Sequence, residues 1–366
     1  MTIPAELLQC LAGITDETGS PLATEKSIRN LVWVDGKVAF TLVMGYPAQS
    51  RHAELKEAMR VAVESLPGVR EANANIETQV VAHTVQSGVT LLPGVKNVIA
   101  VASGKGGVGK STTSANLALA LAAEGAKVGI LDADIYGPSM PMMMGVEGRP
   151  ESYDSKMMEP LQAHGVKVMS VGFLVDSNQA MIWRGPMAAQ ALEQLLHQTR
   201  WGTPPEDMLD YLVVDMPPGT GDIQLSLSQR VPVTGAVMVT TPQDIALLDV
   251  KRGIDMFQKV GVPILGVVEN MAVHTCSQCG HTEHIFGHEG GKKLAEQAGL
   301  AYLGALPLAL HIREQADSGR PTVVAAPESA EAATYREIAR KVTASIAAKG
   351  KDYSHKFPTI KVSHGT

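Results

Sequence analysis

A glycine-rich segment with two lysines carries the most specific chemical pattern in this sequence of 366 residues. Residues 104–112 read Gly-Lys-Gly-Gly-Val-Gly-Lys-Ser-Thr and fit the pattern G-x-x-x-x-G-K-[ST] of a phosphate-binding P-loop. The glycines allow backbone N–H groups to point at phosphate oxygens, and the N-terminus of the following helix adds a favourable dipole. Lys110 is expected to reach the β- and γ-phosphates of ATP, and the hydroxyl of Ser111 is expected to bind Mg²⁺. The predicted nucleotide-binding residues here are Gly104, Lys105, Gly106, Gly107, Val108, Gly109, Lys110, Ser111 and Thr112.

Aspartates follow two of the apolar runs that we expect to be strands. Asp132 and Asp134 come at the end of one run, and Asp215 ends another. Open α/β sheets bind ligands at the carboxyl ends of their strands, so these carboxylates are expected near the nucleotide. Asp215 is predicted to be the Walker B carboxylate. Asp132 is predicted to support the magnesium shell, with helix capping as its alternative. The glycines of the loop 216–222 suit a segment that moves when the γ-phosphate is lost.

Two cysteines separated by two residues form the second chemical pattern. Cys276 and Cys279 can hold one metal through a tight turn, and soft thiolates select Zn²⁺, Cu(I) or iron–sulfur clusters. One pair supplies half of a four-thiolate site, so the other ligands must come from the same chain or from a second subunit. A zinc site with two histidines is an alternative, although zinc modules usually separate their ligand pairs by about twelve residues or more. The nearby histidines are His274, His281, His284 and His288.

Short apolar runs alternate with helical patterns from residue 97 onwards. The runs are nearly continuous in apolar residues, as expected for strands buried on both faces of a parallel sheet. Helical spacing is clearest in 244–260, where apolar residues recur every three to four positions. This alternation predicts an α/β fold, a doubly wound and mainly parallel sheet of the P-loop NTPase type. The predicted strands cover 98–102, 128–131, 166–171, 212–214, 236–240 and 264–268.

A small α+β domain is predicted ahead of that sheet. A helix over 4–11 precedes a hairpin, in which Asp35-Gly36 suits a tight type I′ turn because both central residues need positive φ. A second helix is expected over 51–65, and a further strand over 76–81. We predict four parts in all: a small domain at 1–86, a linker at 87–96, the P-loop domain at 97–348 and a polar tail at 349–366.

The charge and the cysteine content exclude several classes of protein. Lysine and arginine total 31 against 37 aspartates and glutamates, a formal net charge of −6, which gives no electrostatic footprint for nucleic acid. No apolar run approaches the roughly 18–20 residues that span a bilayer, and the N-terminus lacks the pattern of a signal peptide. Three cysteines cannot build a disulfide framework. We therefore expect a cytoplasmic protein that binds neither membrane nor nucleic acid.

The early lysine of the P-loop, Lys105, resembles the signature lysine of the deviant Walker A ATPases, which include nitrogenase iron protein and the Min and Par ATPases. In those families this lysine reaches the nucleotide of the partner subunit across a dimer interface; a solvated surface lysine is the alternative. The resemblance places Asp134 in switch I, near the attacking water and Mg²⁺. It assigns Asn270 to contact with adenine, with an Asx-turn as the alternative. The catalytic residues that it implies are Lys105, Lys110, Asp134 and Asp215.

The combined motifs resemble the Mrp/ApbC family of iron–sulfur cluster carrier ATPases over about residues 5–345. The family implies a homodimer in which the paired cysteines of both subunits hold one [4Fe–4S] cluster. It further implies transfer of that cluster to recipient apoproteins, with ATP binding and hydrolysis coupled to loading or release. The motifs are GKGGVGKST at 104–112, DADIYGPS at 132–139, WRGPM at 183–187, DMPPGTGD at 215–222, VENM at 268–271 and CSQC at 276–279.

The N-terminal unit resembles the MIP18-type domain that often precedes this ATPase, with one difference. That domain commonly has a cysteine in an Ala-Cys-Pro step after its second strand, where this chain has Gln49. The difference implies that the domain handles no cluster itself and serves only to dock partners. Cys10, on a predicted helix, is expected to be a packed thiol.

Two other functions fit parts of the pattern. A targeting or transport ATPase with a zinc clip across a dimer would use the methionine-rich segment 138–144 in a client groove, although such methionines more often fill a core. A nucleotide-switched positioning or partition factor would need a membrane-binding helix or a basic patch. The last predicted helix, 328–348, is alanine-rich and lacks the large apolar residues of such an anchor.

Overall fold

Two α-helices and a three-stranded sheet form the N-terminal unit. The computed structural model describes residues 3–86, 88–152, 156–174 and 185–350 of the chain. In chain order the elements of this unit are α1 (Ala5–Leu11), β1 (Ile28–Val34), β2 (Lys37–Met44), α2 (His52–Glu64) and β3 (Glu71–Thr78). Strand β1 is antiparallel to β2, and β3 pairs with β2 in parallel.

The turn between β1 and β2 has the conformation that its sequence predicts. Asp35 and Gly36 have φ values of +50° and +74°. Val34 pairs with Lys37 directly across the turn. Two consecutive positive φ values match the twist of the flanking strands, which is why an Asp-Gly pair closes this hairpin.

Strand β3 starts earlier than the sequence indicates. It covers 71–78 rather than the predicted 76–81, and its buried positions are Ala72, Ala74 and Ile76. Two of these three are alanines, whose small side chains make the alternation hard to recognise. The core of the unit combines this face with apolar residues of the two helices, among them Leu7, Leu11, Leu55 and Met59.

An eight-stranded sheet forms the centre of the larger unit. In chain order its strands are β4 (Val95–Ser103), β5 (Val128–Asp132), β6 (Leu161–Ala163), β7 (Val166–Ser170), β8 (Leu209–Asp215), β9 (Gly235–Thr240), β10 (Ile264–Glu269) and β13 (Tyr302–Ala305). The short strands β11 (His274–Thr275) and β12 (Thr282–Glu283) form a separate hairpin between β10 and β13. The strand order is β13-β10-β9-β4-β8-β5-β7-β6. Only the edge pair β6–β7 is antiparallel among these neighbours. The predicted α/β fold with a mainly parallel sheet is confirmed.

Helices cover the sheet and follow the strands in alternation. They are α3 (Lys110–Ala123), α4 (Met140–Met143), α5 (Gly185–His197), α6 (Asp222–Arg230), α7 (Asp244–Lys259), α8 (Gly290–Ala298), α9 (Leu310–Asp317), α10 (Thr322–Ala325) and α11 (Ala330–Ala347). Helix α3 is buried on nearly all sides because it lies between the sheet and α11. Its sequence is accordingly rich in alanine and leucine all round rather than amphipathic.

The segment that joins the two units lies against the larger core. Val80 and Leu92 are buried in that core, and the side-chain amide of Gln86 donates to two carbonyl oxygens at the end of α6. Strand β4 begins at Val95, inside the predicted linker 87–96. Residue 87, residues 183–184 of the WRGPM motif and residues 351–366 of the predicted tail lie outside the described residues.

A buried charge network joins the two units. Glu124, the residue after α3, accepts hydrogen bonds from the backbone N–H and the hydroxyl of Ser50, at 2.9 and 2.6 Å. Arg340 of α11 donates to Glu124 at 2.8 Å and to Glu17 of the N-terminal unit at 2.9 Å. The backbone N–H of Gln49 donates to the carbonyl oxygen of Glu124. The N-terminal unit is therefore fastened to the C-terminal end of the helix that begins at the P-loop.

Candidate functional site

The P-loop connects β4 to the start of α3. Gly107 and Gly109 both have φ of +80°, a left-handed conformation that glycine adopts without steric cost. Gly104 packs against α7, since a Cβ there would lie 2.2 Å from the carbonyl carbon of Asp249. The loop and the residues that face it line an open cavity of about 240 Å³. Its lining includes Lys105, Gly106, Gly107, Gly109, Lys110, Ser111, Thr112, Asp134, Ser139, Met143 and Pro218.

Lys110, Ser111 and Asp215 meet beside this cavity. The Lys110 ammonium lies 2.8 Å from the Asp215 carboxylate, and the Ser111 hydroxyl donates to the same carboxylate at 2.7 Å. Ser114, one turn further along α3, donates to it at 2.6 Å. Asp215 is fully buried, and a buried carboxylate is stable only when it is paired and hydrogen-bonded in this way. Ser114 belongs to no motif in the sequence, although its spacing from Ser111 places both on one helix face.

Asp134 and Ser139 line the same cavity. Asp134 Oδ1 and Ser139 Oγ are buried and have no hydrogen-bond partner among the described residues, while Asp134 Oδ2 lies 3.8 Å from Lys110 Nζ. Burial raises the pKa of Asp134, and the charge of Lys110 opposes that rise. Carboxylate and hydroxyl oxygens are ligands that suit Mg²⁺. These side chains and that of Ser111 therefore fit a magnesium ion beside a nucleotide.

Asp132 fastens the loop that carries those oxygens. Its carboxylate accepts hydrogen bonds from the backbone N–H groups of Asp134, Ser139 and Met140 and from the hydroxyl of Ser170, at 2.9–3.2 Å. Burial, with the nearby carboxylate of Asp215, raises the pKa of Asp132 to about 7. With four donors around it, Asp132 is placed to shape this loop. The geometry favours the capping alternative over the predicted role in the magnesium shell.

Lys105 lies at the rim of the cavity and is half-buried. Its backbone carbonyl accepts a hydrogen bond from the hydroxyl of Ser103 at 2.9 Å, which shapes the start of the loop. Within the described part of the chain, its ammonium group forms no salt bridge. The reach of Lys105 across a dimer interface stays a prediction.

Asn270 contacts the P-loop directly. Its side-chain amide donates to the carbonyl oxygen of Val108 at 2.9 Å, and its backbone N–H donates to the carbonyl oxygen of Thr240 at 2.7 Å. The close approach requires glycine at position 109, because a Cβ there would lie 2.0 Å from Asn270 Nδ2. Asn270 therefore supports the P-loop, and its predicted contact with adenine stays a prediction.

Cys276 and Cys279 lie in the turn of a short hairpin after β10. Strands β11 and β12 hold the two arms of this hairpin together. The N–H of Cys276 donates to the carbonyl oxygen of His281 at 2.8 Å, and Gly280 closes the turn with φ of +72°. Cys279 is exposed and Cys276 is half-buried. Two thiols on one tight, accessible turn can bind a metal or cluster while leaving part of its coordination to other ligands.

The turn favours the thiolate form of Cys276. The backbone N–H groups of Cys279 and Gln278, with smaller contributions from the Cys279 side chain and His274, lower the pKa of Cys276. The thiolate is the form that binds metals. Cys10 differs, because burial raises its pKa and its thiol donates to a carbonyl of its own helix at 3.2 Å. This setting agrees with the packed thiol that we predict for Cys10.

The neighbouring histidines do not complete a metal site within the described chain. No group of three or more His, Cys, Asp or Glu side chains is arranged there to hold a metal ion. His274 and His284 use Nδ1 for the backbone carbonyl groups of Leu308 and Ala272, at 3.0 and 2.8 Å. The alternative of a zinc site with two histidines of the same chain therefore finds no support in this geometry.

Two of the four methionines in the segment that a transport ATPase would use are fully buried. Met140 and Met144 are fully buried, Met143 lines the P-loop cavity, and Met142 is 62% exposed. The methionine-rich segment is therefore mostly core rather than a groove for a client. In the part of the chain that the structure describes, no helix combines the length and the apolar character needed to cross a membrane.

Two family models match the chain. Residues 94–343 match the family described as NUBPL iron-transfer P-loop NTPase, a range that includes the large sheet, the P-loop and the cysteine hairpin. Residues 4–76 match the family described as iron-sulfur cluster assembly protein, a range that includes most of the N-terminal unit. The N-terminal match ends at residue 76, close to the change from the smaller core to the larger one, which includes Val80.

Known proteins resemble the chain over most of its length. An iron-sulfur cluster carrier protein of Pseudomonas fragi is 59% identical over 283 residues, which cover 77% of this chain and 97% of that protein. One of Escherichia coli (strain K12) is 52% identical over 331 residues, which cover 90% of this chain and 88% of that protein. A solved nucleotide-binding protein of Archaeoglobus fulgidus in complex with ADP has a TM-score of 0.55 and 37% identity, over 64% of this chain and 90% of that one. The chain therefore belongs to the NUBPL iron-transfer P-loop NTPase family.

Proposed function

We propose that this protein is an ATPase that carries an iron–sulfur cluster and transfers it to recipient apoproteins. The proposal depends above all on one observation: the P-loop follows β4 and the cysteine hairpin follows β10 at the same edge of one sheet. A single strand, β9, lies between these two strands, so their ends are about 10 Å apart at the usual strand spacing. Membership of an iron-transfer NTPase family supports the pairing of the two chemistries.

ATP occupies the P-loop cavity in this proposal. The backbone N–H groups of the loop and the Lys110 ammonium would bind the phosphates, and Ser111 would hold Mg²⁺ with help from Asp215. When bound, Mg²⁺ neutralises charge on the phosphate oxygens. Asp134 orients a water that attacks the γ-phosphorus, the bond to the bridging oxygen breaks, and ADP and phosphate leave. Asn270 supports the loop and faces the adenine.

One [4Fe–4S] cluster lies between two copies of the chain. A four-iron cube needs four protein ligands, and each chain offers the thiolates of Cys276 and Cys279 on an accessible turn. A two-fold axis through the cluster supplies the second pair, as an isologous interface allows. In the same homodimer Lys105 would reach the nucleotide of the partner subunit. The recipients are apoproteins that need such clusters, and exposed thiolate ligands suit the reducing cytoplasm.

The N-terminal domain serves as a docking unit in this proposal. It has Gln49 where a thiolate would be needed, and it contacts the P-loop domain through Glu124. We propose the same division as before: a small domain at 1–86, a linker at 87–96, the P-loop domain at 97–348 and a tail at 349–366. The two hydrophobic cores support a division into two domains, and the packing of Val80 and Gln86 against the larger unit places the change of core before residue 80.

One experiment distinguishes this function from a zinc clip across a dimer. The protein is reconstituted anaerobically with iron and sulfide, and its iron, sulfide and zinc contents, its visible absorption and its subunit mass are measured. One [4Fe–4S] cluster per two chains, together with transfer to an apoprotein and ATP hydrolysis, is the expected result. Colourless protein that keeps Zn²⁺ under these conditions would contradict the proposal.

A further inference from the structure

Glu269 and Asn270, adjacent residues at the end of β10, contact both the P-loop and the segment that carries the cysteines. The Asn270 amide donates to the carbonyl oxygen of Val108 in the P-loop at 2.9 Å. The Glu269 carboxylate accepts hydrogen bonds from backbone N–H groups in the first turn of α8. The segment 271–290 between these two anchors contains the cysteine hairpin. The segment therefore begins directly after Asn270 and ends at the helix that is hydrogen-bonded to Glu269.

Two glycines allow these contacts to be close. A Cβ at Gly109 would lie 2.0 Å from Asn270 Nδ2, and a Cβ at Gly291 would lie 2.8 Å from Glu269 Oε2. Glu269 is 2% exposed and Asn270 is 8% exposed, so neither side chain can move aside into solvent. Close-packed interiors transmit displacement rather than absorb it. A shift of the P-loop would therefore displace Asn270, and a shift of Glu269 would displace the start of α8.

The base of the cysteine hairpin is tied to the same strand end. Since a carbonyl oxygen only accepts, His284 donates from Nδ1 to Ala272 at 2.8 Å, and His274 donates from Nδ1 to Leu308 at 3.0 Å. The N–H of Leu308 donates to the carbonyl oxygen of Val273 at 2.8 Å. Ala272, two residues after Asn270, is therefore hydrogen-bonded to the end of the second arm, and Val273 and His274 are both hydrogen-bonded to Leu308. These bonds give movement at the strand end a route to the hairpin that carries the thiols.

We infer that Glu269 and Asn270 couple nucleotide binding at the P-loop to retention of the cluster by Cys276 and Cys279. The inference rests on the proposed function and adds a route by which one site acts on the other. Glu269 is a positioning residue in this route, because its carboxylate touches neither the nucleotide cavity nor the thiols. Coupling of binding free energies is reciprocal, so the cluster must also change nucleotide affinity.

The test measures cluster retention in the full-length protein. Reconstituted protein is mixed with an iron chelator, and the loss of cluster absorbance is followed without nucleotide, with ADP and with a non-hydrolysable ATP analogue. We expect the release rates to differ by about fivefold or more, the lower end of typical allosteric couplings. The nucleotide Kd should also differ between cluster-free and cluster-loaded protein.

Two variants alter the contact between Glu269 and α8, one by changing Glu269 and the other by changing its partner. If only one of them folds, that variant still tests the contact. Glu269→Gln removes the charge that holds the first turn of α8, and Gly291→Ala adds a Cβ against the Glu269 side chain. In each variant, we expect the cluster release rates in the different nucleotide states to differ by less than about twofold. The cluster-free variants should still bind ATP. Glu283→Gln, an exposed carboxylate in the same segment, is the matched control and should keep the wild-type ratio.

Three outcomes would overturn the inference. Wild-type protein that binds both ligands but releases the cluster at a nucleotide-independent rate has no such coupling. Variants that lose the cluster faster by the same factor in every nucleotide state show that Glu269 has only a structural role. Protein that hydrolyses ATP but takes up no cluster contradicts the proposed function itself, and is recognised by iron analysis before any coupling is measured.

Discussion

Glu124 accepts two hydrogen bonds from Ser50, one from its backbone N–H and one from its hydroxyl. Glu124 directly follows the helix that begins at the P-loop, whereas Ser50 belongs to the N-terminal unit. Arg340 joins the contact and bridges Glu124 to Glu17. The small unit therefore holds the far end of the helix whose first turn faces the nucleotide cavity.

Replacing Arg340 by methionine should destabilise the contact between the units. The side chains of Glu124 and Glu17 are 0% and 6% exposed. Glu124 would lose the Arg340 guanidinium while buried, whereas Glu17 would keep its pair with Arg51 at 3.2 Å. Removing one partner of a buried pair costs about 3–5 kcal/mol, which urea unfolding would measure. Arg313→Met, which breaks an exposed pair with Asp317, should cost less than about 1 kcal/mol. Equal effects of the two changes would contradict the buried network.

Lys110→Ala and Ser111→Ala should each abolish ATP hydrolysis while the fold persists. The first removes the cation for the phosphates, and the second removes a magnesium ligand. Loss of one preorganised charge-stabilising group typically lowers kcat by about 100-fold or more. Phosphate release assays would measure the rate, and circular dichroism would check the fold. Lys127→Ala, on the surface, is the control. Near-normal hydrolysis by Lys110→Ala would show that the phosphate site is wrongly assigned.

Lys105→Ala should impair hydrolysis through the partner subunit. If each site takes Lys105 from one chain and Asp215 from the other, a mixture of Lys105→Ala with Asp215→Asn forms heterodimers in which one of the two sites is intact. We expect partial recovery of ATPase activity in this mixture, measured after subunit exchange is verified by native mass spectrometry. Heterodimers that form but show no recovery would assign Lys105 a local role.

Cys276→Ala or Cys279→Ala should abolish cluster binding and transfer and leave nucleotide binding largely intact. Either change halves the thiolates that a dimer offers to a bridging cluster. Iron content should saturate at one cluster per two wild-type chains, and removal of the cluster should weaken the dimer. Cys10→Ser is the control, because this thiol is packed in the N-terminal unit. A full cluster on each monomer would refute the bridging arrangement.

Cys276 should react with iodoacetamide at lower pH than Cys10 in the metal-free protein. Hydrogen bonds from the N–H groups of Cys279 and Gln278 lower the pKa of Cys276, whereas burial raises the pKa of Cys10. Since the thiolate is the nucleophile, the rate of Cys276 should rise first as the pH increases. Peptide mass spectrometry would follow both sites in one sample. Faster alkylation of Cys10 at neutral pH would contradict the geometry of the turn.

The P-loop could be predicted from the sequence because its chemistry is local. The glycines, Lys110 and Ser111 are consecutive in the chain, and the loop conformation depends on their own backbone angles. The six strands predicted for the large sheet are present for the same reason, since buried parallel strands are continuous apolar runs. The short edge strands β6 and β13 were missed, because four residues or fewer carry too little pattern.

Glu269 could not be assigned from the sequence because its partners are distant in the chain, and Asp132 has one distant partner beside three nearby ones. The hydrogen bonds to Asp132 come partly from Ser170, and those to Glu269 come from the start of α8. An acidic residue at a strand end fits metal binding, catalysis and capping equally well until its neighbours are known. Folding determines which of these roles the geometry favours.

The position of β9 between β4 and β10 suggests a measurement by phosphorus NMR. One intervening strand keeps the end of the P-loop strand about 10 Å from the end of the strand that leads to the cysteines. A reduced [4Fe–4S] cluster carries an unpaired electron, which speeds the relaxation of nuclear spins at short range. If the hairpin holds the cluster within that range of a bound nucleotide, the relaxation rate of the phosphorus nuclei would report whether the same dimer also holds a cluster.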